Sequence, residues 1–254
     1  MTDIIPIPAL SDNYIWLLRK GQHATVVDPG EAQPVVDYLD TNGLELNNIL
    51  ITHHHADHTA GVAKLKQIYG CHVYGPNNPT LAMIDTAVSE SSRVDLPELD
   101  LHFDVLEIPA HTLDHIAYAN AEMVFCGDTL FAAGCGRVFE GTHEQMLNAL
   151  NKLSQLPDTT KIYCGHEYTL SNLAFAQTVE PNNSDIQARI IGVQQLRDSN
   201  QPSLPSHIGI EKLTNPFLRS EVPELMQYAQ QQTDQSLDTA LDVFTIIRQC
   251  KDNF

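Results

Sequence analysis

The chain has 254 residues, 43% of them hydrophobic, enough for a sizeable core and too many for the disordered class. Fourteen Lys+Arg against 32 Asp+Glu give a formal net charge of −18, which disfavours nucleic acid and anionic membrane surfaces as partners. No apolar run approaches the roughly 18 residues of a membrane span, the opening MTDIIPIPALSDNY has no basic, apolar-cored leader, and cysteines scattered at 71, 126, 135, 164 and 250 make no disulfide framework, so the expectation is a cytoplasmic protein.

Short apolar runs predict strands over 4–7, 14–18 and 25–27, the last stopped by Asp28-Pro29-Gly30. Val35, Val36 and Leu39 predict a helix over 31–41, followed by a strand over 48–51 that runs into Thr52. A helix over 59–69, strands over 71–74, 101–108, 116–119 and 123–126, a helix over 143–153 and a strand over 161–163 complete an alternating α/β pattern. Beyond about 168 strand signals nearly vanish. Helices are expected over 171–179, 186–196, 223–232 and 237–250, with a loop over 199–204. The domain boundary is therefore placed between 167 and 168, with a catalytic domain over 1–167 and a smaller helical domain over 168–254.

Thr52-His53-His54-His55-Ala56-Asp57-His58 lies between a strand and a helix and contains His-x-His-x-Asp-His. Chance alone gives about 0.002 occurrences in a chain of this composition. Imidazole and carboxylate suit zinc, iron or manganese. His53 and His55 can share one metal, and Asp57 and His58 a second. Later strand ends add His111, Asp128 in Cys126-Gly127-Asp128, and His166 in Cys164-Gly165-His166; the glycines let the backbone turn sharply. Asp128, as a carboxylate, can bridge. His54 reads as a spacer. His115 reads equally as a strand hydrogen-bonder or as a support for a ligand, and Asp28 as a turn residue.

THHHADH, His111, CGDTLF and GHEY resemble the metallo-β-lactamase superfamily. Leu10-Ser11-Asp12-Asn13-Tyr14, GDTLFAAGCGRVFEG at 127–141, GHEYTLSNLAFA at 165–176, NPFLR at 215–219 and RQCKDNF at 248–254 narrow the resemblance to its glyoxalase II (hydroxyacylglutathione hydrolase) family. The resemblance implies an αββα sandwich with a smaller helical C-terminal domain. It implies one metal on His53, His55 and His111 and another on Asp57, His58 and His166, with Asp128 bridging: two divalent ions, zinc first, with iron or manganese as alternatives. Asp57 and Asp128 are the implied catalytic carboxylates. Substrate contacts are implied at Arg137, Phe139, Tyr168, Arg219, Arg248 and Lys251. Phe139 stands where the family often has Tyr, a second basic residue after Arg219 is missing, and Asp114 stands where the family usually has Gly, at a position that Asp can hold in a left-handed turn.

The implied activity is hydrolysis of S-D-lactoylglutathione to D-lactate and glutathione, the second step of methylglyoxal detoxification, by a monomer. Metal coordination lowers the pKa of water toward ~7. A thiolate leaving group, pKa about 8.5, needs no dedicated general acid. The alternative is another cytoplasmic thioesterase or lactonase of the same fold.

Overall fold

A computed structural model describes residues 2–254, which divide into two compact bodies. The first comprises the N-terminal stretch through Glu107, Asp114–Gly127 and Gly165–Glu167; the second comprises Ile108–Leu113, Asp128–Cys164 and Tyr168–Phe254. Compactness thus does not change hands at 167/168. The second body takes in 108–113 and 128–164 as well, because the short hairpin and the helix that follow Asp128 pack with the C-terminal helices.

In the first body, β1 (Asp3–Ala9), β2 (Asn13–Lys20) and β3 (His23–Val27) form an antiparallel meander. Helix α1 (Gln33–Asn42) follows, ended by Gly43 at φ 61°. Then come β4 (Glu45–Leu50), the single turn α2 (Ala56–Thr59), α3 (Val62–Tyr69), β5 (His72–Pro76) and β6 (Thr86–Val88). The sheet order is β1-β2-β3-β4-β5-β6, with β3 to β6 parallel. Parallel pairing needs crossover connections; α1 makes that between β3 and β4 and α3 that between β4 and β5, placing Val35, Leu39, Val62 and Leu65 in one core with Val26, Ile49 and Val73. The remaining strands, β7 (Arg93–Leu96), β8 (Leu101–Glu107), β9 (Ile116–Ala119) and β10 (Met123–Gly127), pair antiparallel in sequence order. Strand β8 alternates buried Phe103 and Val105 with exposed His102 and Asp104, as expected for a sheet with one covered face.

The second body opens its regular structure with a tight hairpin, β11 (Leu130–Phe131) and β12 (Gly134–Cys135). Helix α4 (His143–Ser154) begins with a capping box between Thr142 and Gln145. Strand β13 (Lys161–Cys164), α5 (Thr169–Val179) and α6 (Ser184–Asp198) follow, then β14 (Ser206–His207), α7 (Ile208–Thr214), α8 (Pro223–Gln231) and α9 (Ala240–Asp252). Helices α5 and α6 pack through Leu173, Ala176, Ile186 and Val193, with Ala133 in the same cluster. Helix α9 starts three residues later than expected because Thr239 and Asp242 form a second capping box.

Candidate metal centre

The parallel arrangement of β3, β4 and β5 puts Asp28, Thr52–His55 and Asn78, each just past a strand end, at one edge of the first sheet. A fourth loop arrives there by sequence-distant pairing: Tyr14 N–H donates to Gly165 O (2.8 Å), Glu167 N–H to Asp12 O (2.9 Å), and Gly165 N–H to Gly127 O (3.0 Å). His166 thereby joins the first body.

Within that body Asp57, His58 and His166 each offer a ligand atom, all lying within 4.8 Å of one another. His53 Nε2 and His55 Nδ1 are 3.2 Å apart. The imidazole tautomers follow from the partners. Asp28 is an acceptor only, so the Thr52 hydroxyl must donate to its Oδ2 (2.6 Å) and in turn accept from His53 Nδ1–H (3.0 Å). Asp28 Oδ2 also accepts from His58 Nδ1–H (3.0 Å), and Asp12 Oδ1 from His166 Nδ1–H (2.7 Å). Three rings therefore turn a bare Nε2 toward the cluster, the arrangement that prepares histidines for a cation. The Nε2 atoms of His166 and His58 lie 3.4 and 3.3 Å from Asp57 Oδ2, where a lone pair and a carboxylate oxygen need a cation between them, and Asn13 Nδ2 donates to the same oxygen at 3.1 Å. A set of one half-buried carboxylate and imidazole nitrogens with fixed lone pairs fits a divalent transition metal.

The supporting residues resolve several sequence-level alternatives. Asp28, expected as a turn residue, does turn (φ 52°), yet it is 5% exposed and its carboxylate holds Thr52 and His58. His115 donates to Ile116 O (3.1 Å) and stacks on His53, ring centres 4.5 Å apart at 11°. Gly127 has φ 47°, and a Cβ there would strike Thr52 Oγ1, so only glycine fits before Asp128. Gly165 does not share that conformation. Asp114 is not left-handed either; its carboxylate instead takes His54 Nδ1 (2.9 Å) and Asn78 Nδ2 (2.8 Å). Asp12 and Asn13 lie in the quoted SDNY motif, but nothing local to that motif shows that they meet His166 and Asp57.

In the second body, His111 Nε2 is 3.5 Å from Asp128 Oδ2, and His111 Nδ1–H donates to Arg137 O (2.8 Å), which leaves this Nε2 bare as well. Phe139, 63% exposed, sets its ring 5.2 Å from that of His111. Tyr168 packs edge-on against Phe131 (5.3 Å). Arg137 and Arg248 both reach Asp252 Oδ1, at 3.7 and 2.9 Å. Lys251 lies over the rings of Phe175 and Phe254, and its charged form is disfavoured first by burial and then by Arg248 and Arg137. Substrate contacts were expected at Arg219 and Arg248, and the structure gives both guanidiniums partners within the protein. Arg219 makes a two-pronged pair with buried Glu180 (2.9 and 2.8 Å) and donates to Lys212 O. Arg248, 3% exposed, donates to Cys135 O and covers the Phe217 ring.

Residues 10–166 match the metallo-β-lactamase superfamily, and residues 167–254 match the family described as hydroxyacylglutathione hydrolase C-terminus. The chain is 49% identical over 259 residues to the hydroxyacylglutathione hydrolase of Hahella chejuensis and 47% identical over 257 residues to that of Pseudomonas fluorescens, covering all of both chains in each case. Among solved structures it is similar to ETHE1 from Myxococcus xanthus, with a TM-score of 0.69 at 22% identity, covering 98% of this chain and 91% of that one. The architecture is therefore the expected αββα sandwich with its helical C-terminal part.

Proposed function

The chain belongs to the hydroxyacylglutathione hydrolase family of the metallo-β-lactamase superfamily, and from that membership we propose that it hydrolyses S-D-lactoylglutathione to D-lactate and glutathione, as a cytoplasmic monomer. It is a metal-dependent hydrolase. Zinc is the first choice of metal, with His53, His55 and His111 for one ion, Asp57, His58 and His166 for the other, and Asp128 shared.

When bound, two divalent ions supply ionised water at neutral pH and polarise the acyl carbonyl. The protein's own contribution is orientation. Asp28, Thr52, Asp12 and the Arg137 carbonyl fix the imidazole tautomers, and Asn13 fixes the Asp57 carboxylate. The leaving thiolate, of pKa about 8.5, departs without a proton donor. The observation that carries the glutathione reading is a local charge reversal. In a chain of net charge −18, Arg137, Arg248 and Lys251 gather around the single carboxylate of Asp252. A glutathione carboxylate beside Lys251 and Arg137 relieves their mutual repulsion, with Tyr168 and Phe139 as the proposed aromatic contacts. Arg219 and Arg248, also proposed as substrate contacts, are each held by a partner inside the protein, Glu180 and Cys135 O. The thiols, none in a disulfide, accord with a reducing compartment.

Purified protein should hold close to two transition-metal ions per chain, and Asp128→Ala should abolish hydrolysis and loosen both. A simple thioester lacking glutathione should be turned over far less efficiently than S-D-lactoylglutathione. One ion per chain after reconstitution, or equal turnover of the two substrates, overturns the reading.

A further inference from the structure

The β11–β12 hairpin stands two residues after Asp128 and ends two residues before Arg137. Its tip is held almost entirely by side chains from the C-terminal helices and the loops between them. Asn172 Nδ2 donates to Ala132 O (3.1 Å), Asn215 Nδ2 to Gly134 O (2.9 Å), and Arg248 Nη1 to Cys135 O (2.9 Å). The remaining tip residue, Ala133, is in the left-handed region at φ 54°, which an L-residue with a Cβ adopts only when its surroundings compel it. What compels it is Glu211, whose Oε2 accepts the Ala133 amide hydrogen at 2.7 Å. Glu211 is fully buried, and its other oxygen is fixed by Arg189 and Ser206, so the acceptor cannot drift.

The base of the hairpin transmits that placement. Gly136 N–H closes onto Thr129 O (3.1 Å). A Cβ on Gly136 would collide with Asp128 O and crowd His111 Nδ1, so the chain passes directly against both residues. One residue further on, Arg137 O takes the His111 Nδ1 hydrogen. We propose that Glu211 is a positioning residue for the hydrolase site: by pinning Ala133 it sets the hairpin whose base orients Asp128, His111 and Arg137. The inference rests on the reading of those three as site residues. It also gives the Asn215 of NPFLR a task inside the protein, namely holding the hairpin.

The test uses the full-length, metal-loaded protein. Glu211→Gln is expected to lower kcat for S-D-lactoylglutathione at least tenfold with KM within threefold of wild type. It should also speed exchange of the Ala133 amide hydrogen and hasten metal loss to a chelator. Adding Ala133→Gly should restore at least half of the lost kcat on a logarithmic scale, because glycine takes φ > 0 without a clamp. Ala133→Val, which leaves the buried ion pair whole, should reproduce the loss and decides the matter if Glu211→Gln does not fold. A folded Glu211→Gln or Ala133→Val protein with wild-type kcat, or no rescue by glycine, overturns the inference. Asp128→Ala run in parallel separates the two readings. If Asp128→Ala is inactive while Glu211→Gln is fully active, the inference alone falls; if Asp128→Ala is also active, the site reading falls and takes the inference with it.

Discussion

Asp28 does more for the histidine cluster than any residue outside it. Its two oxygens accept from Thr52 N (2.7 Å), Thr52 Oγ1 and His58 Nδ1, so one buried carboxylate fixes the tautomer of His58 directly and that of His53 through the hydroxyl. Supports of this kind change metal affinity by about 10–100-fold when removed. Asp28→Ala should weaken metal retention by that factor, read by chelator competition. It should also lower the unfolding free energy by about 3 kcal/mol through lost bonds to an ionised group; unchanged metal affinity would mean that the tautomers are set elsewhere. The candidate ligands His53, His55, Asp57 and His58 were legible in the sequence because their spacing is local, and His111 and His166 through the strand-end motifs that carry the family resemblance. Asp28 was not, since 24 residues separate it from Thr52 and only the parallel pairing of β3 with β4 brings them together. The cysteines beside the ligand loops lie inside the protein: Cys126 and Cys164 are fully buried, and burial pushes the Cys71 and Cys135 thiols up to about 11. At neutral pH a thiol reagent should leave these four unmodified in the folded protein and reach only half-buried Cys250, slowly. Peptide mapping by mass spectrometry checks this, and prompt labelling of Cys126, Cys135 or Cys164 would contradict it.

At the scale of elements, long periodic helices and apolar strands were legible, and elements made by pairing were not. Strands β6, β7, β11, β12 and β14 are two to four residues long and carry too few side chains for a period to show. Helix α7 was missed for a related reason: its seven residues bury polar Glu211 and Thr214, which the network with Arg189 makes tolerable. The same inward use of charge engages Arg219, whose side chain is only 18% exposed. Glu180 is 4% exposed, and Arg219 is its ionic partner. Removing the guanidinium leaves a buried carboxylate uncompensated, which costs about 3 kcal/mol. Arg219→Leu should lower the unfolding midpoint by that equivalent, and Glu180→Gln added to it should return part of the loss. Thermal unfolding of the two variants decides between this role and a substrate contact, which would raise KM and leave the midpoint in place.

For the whole molecule, the texture change near 168 was legible as fewer strands and more helices, but compactness follows contacts, not texture. Residues 128–164 alternate strand and helix like the first body and still belong to the second, because Ala133 and the hairpin around it pack with α5, α6 and α7. Net charge, by contrast, needs no fold to be read, and it sets a kinetic expectation. A chain at −18 repels an anionic glutathione thioester at long range, whereas Arg137 and Lys251 attract it only nearby, close to Asp252. The Debye length shrinks from about 30 Å at 0.01 M salt to about 8 Å at 0.15 M. That range erases the repulsion of distant carboxylates before it weakens contacts a few ångströms long. Raising salt across this interval should therefore increase kcat/KM for S-D-lactoylglutathione by a few-fold, mostly through KM, and leave an uncharged thioester unaffected. A fall in kcat/KM over the same interval would mean that the local cations, not the net charge, govern capture.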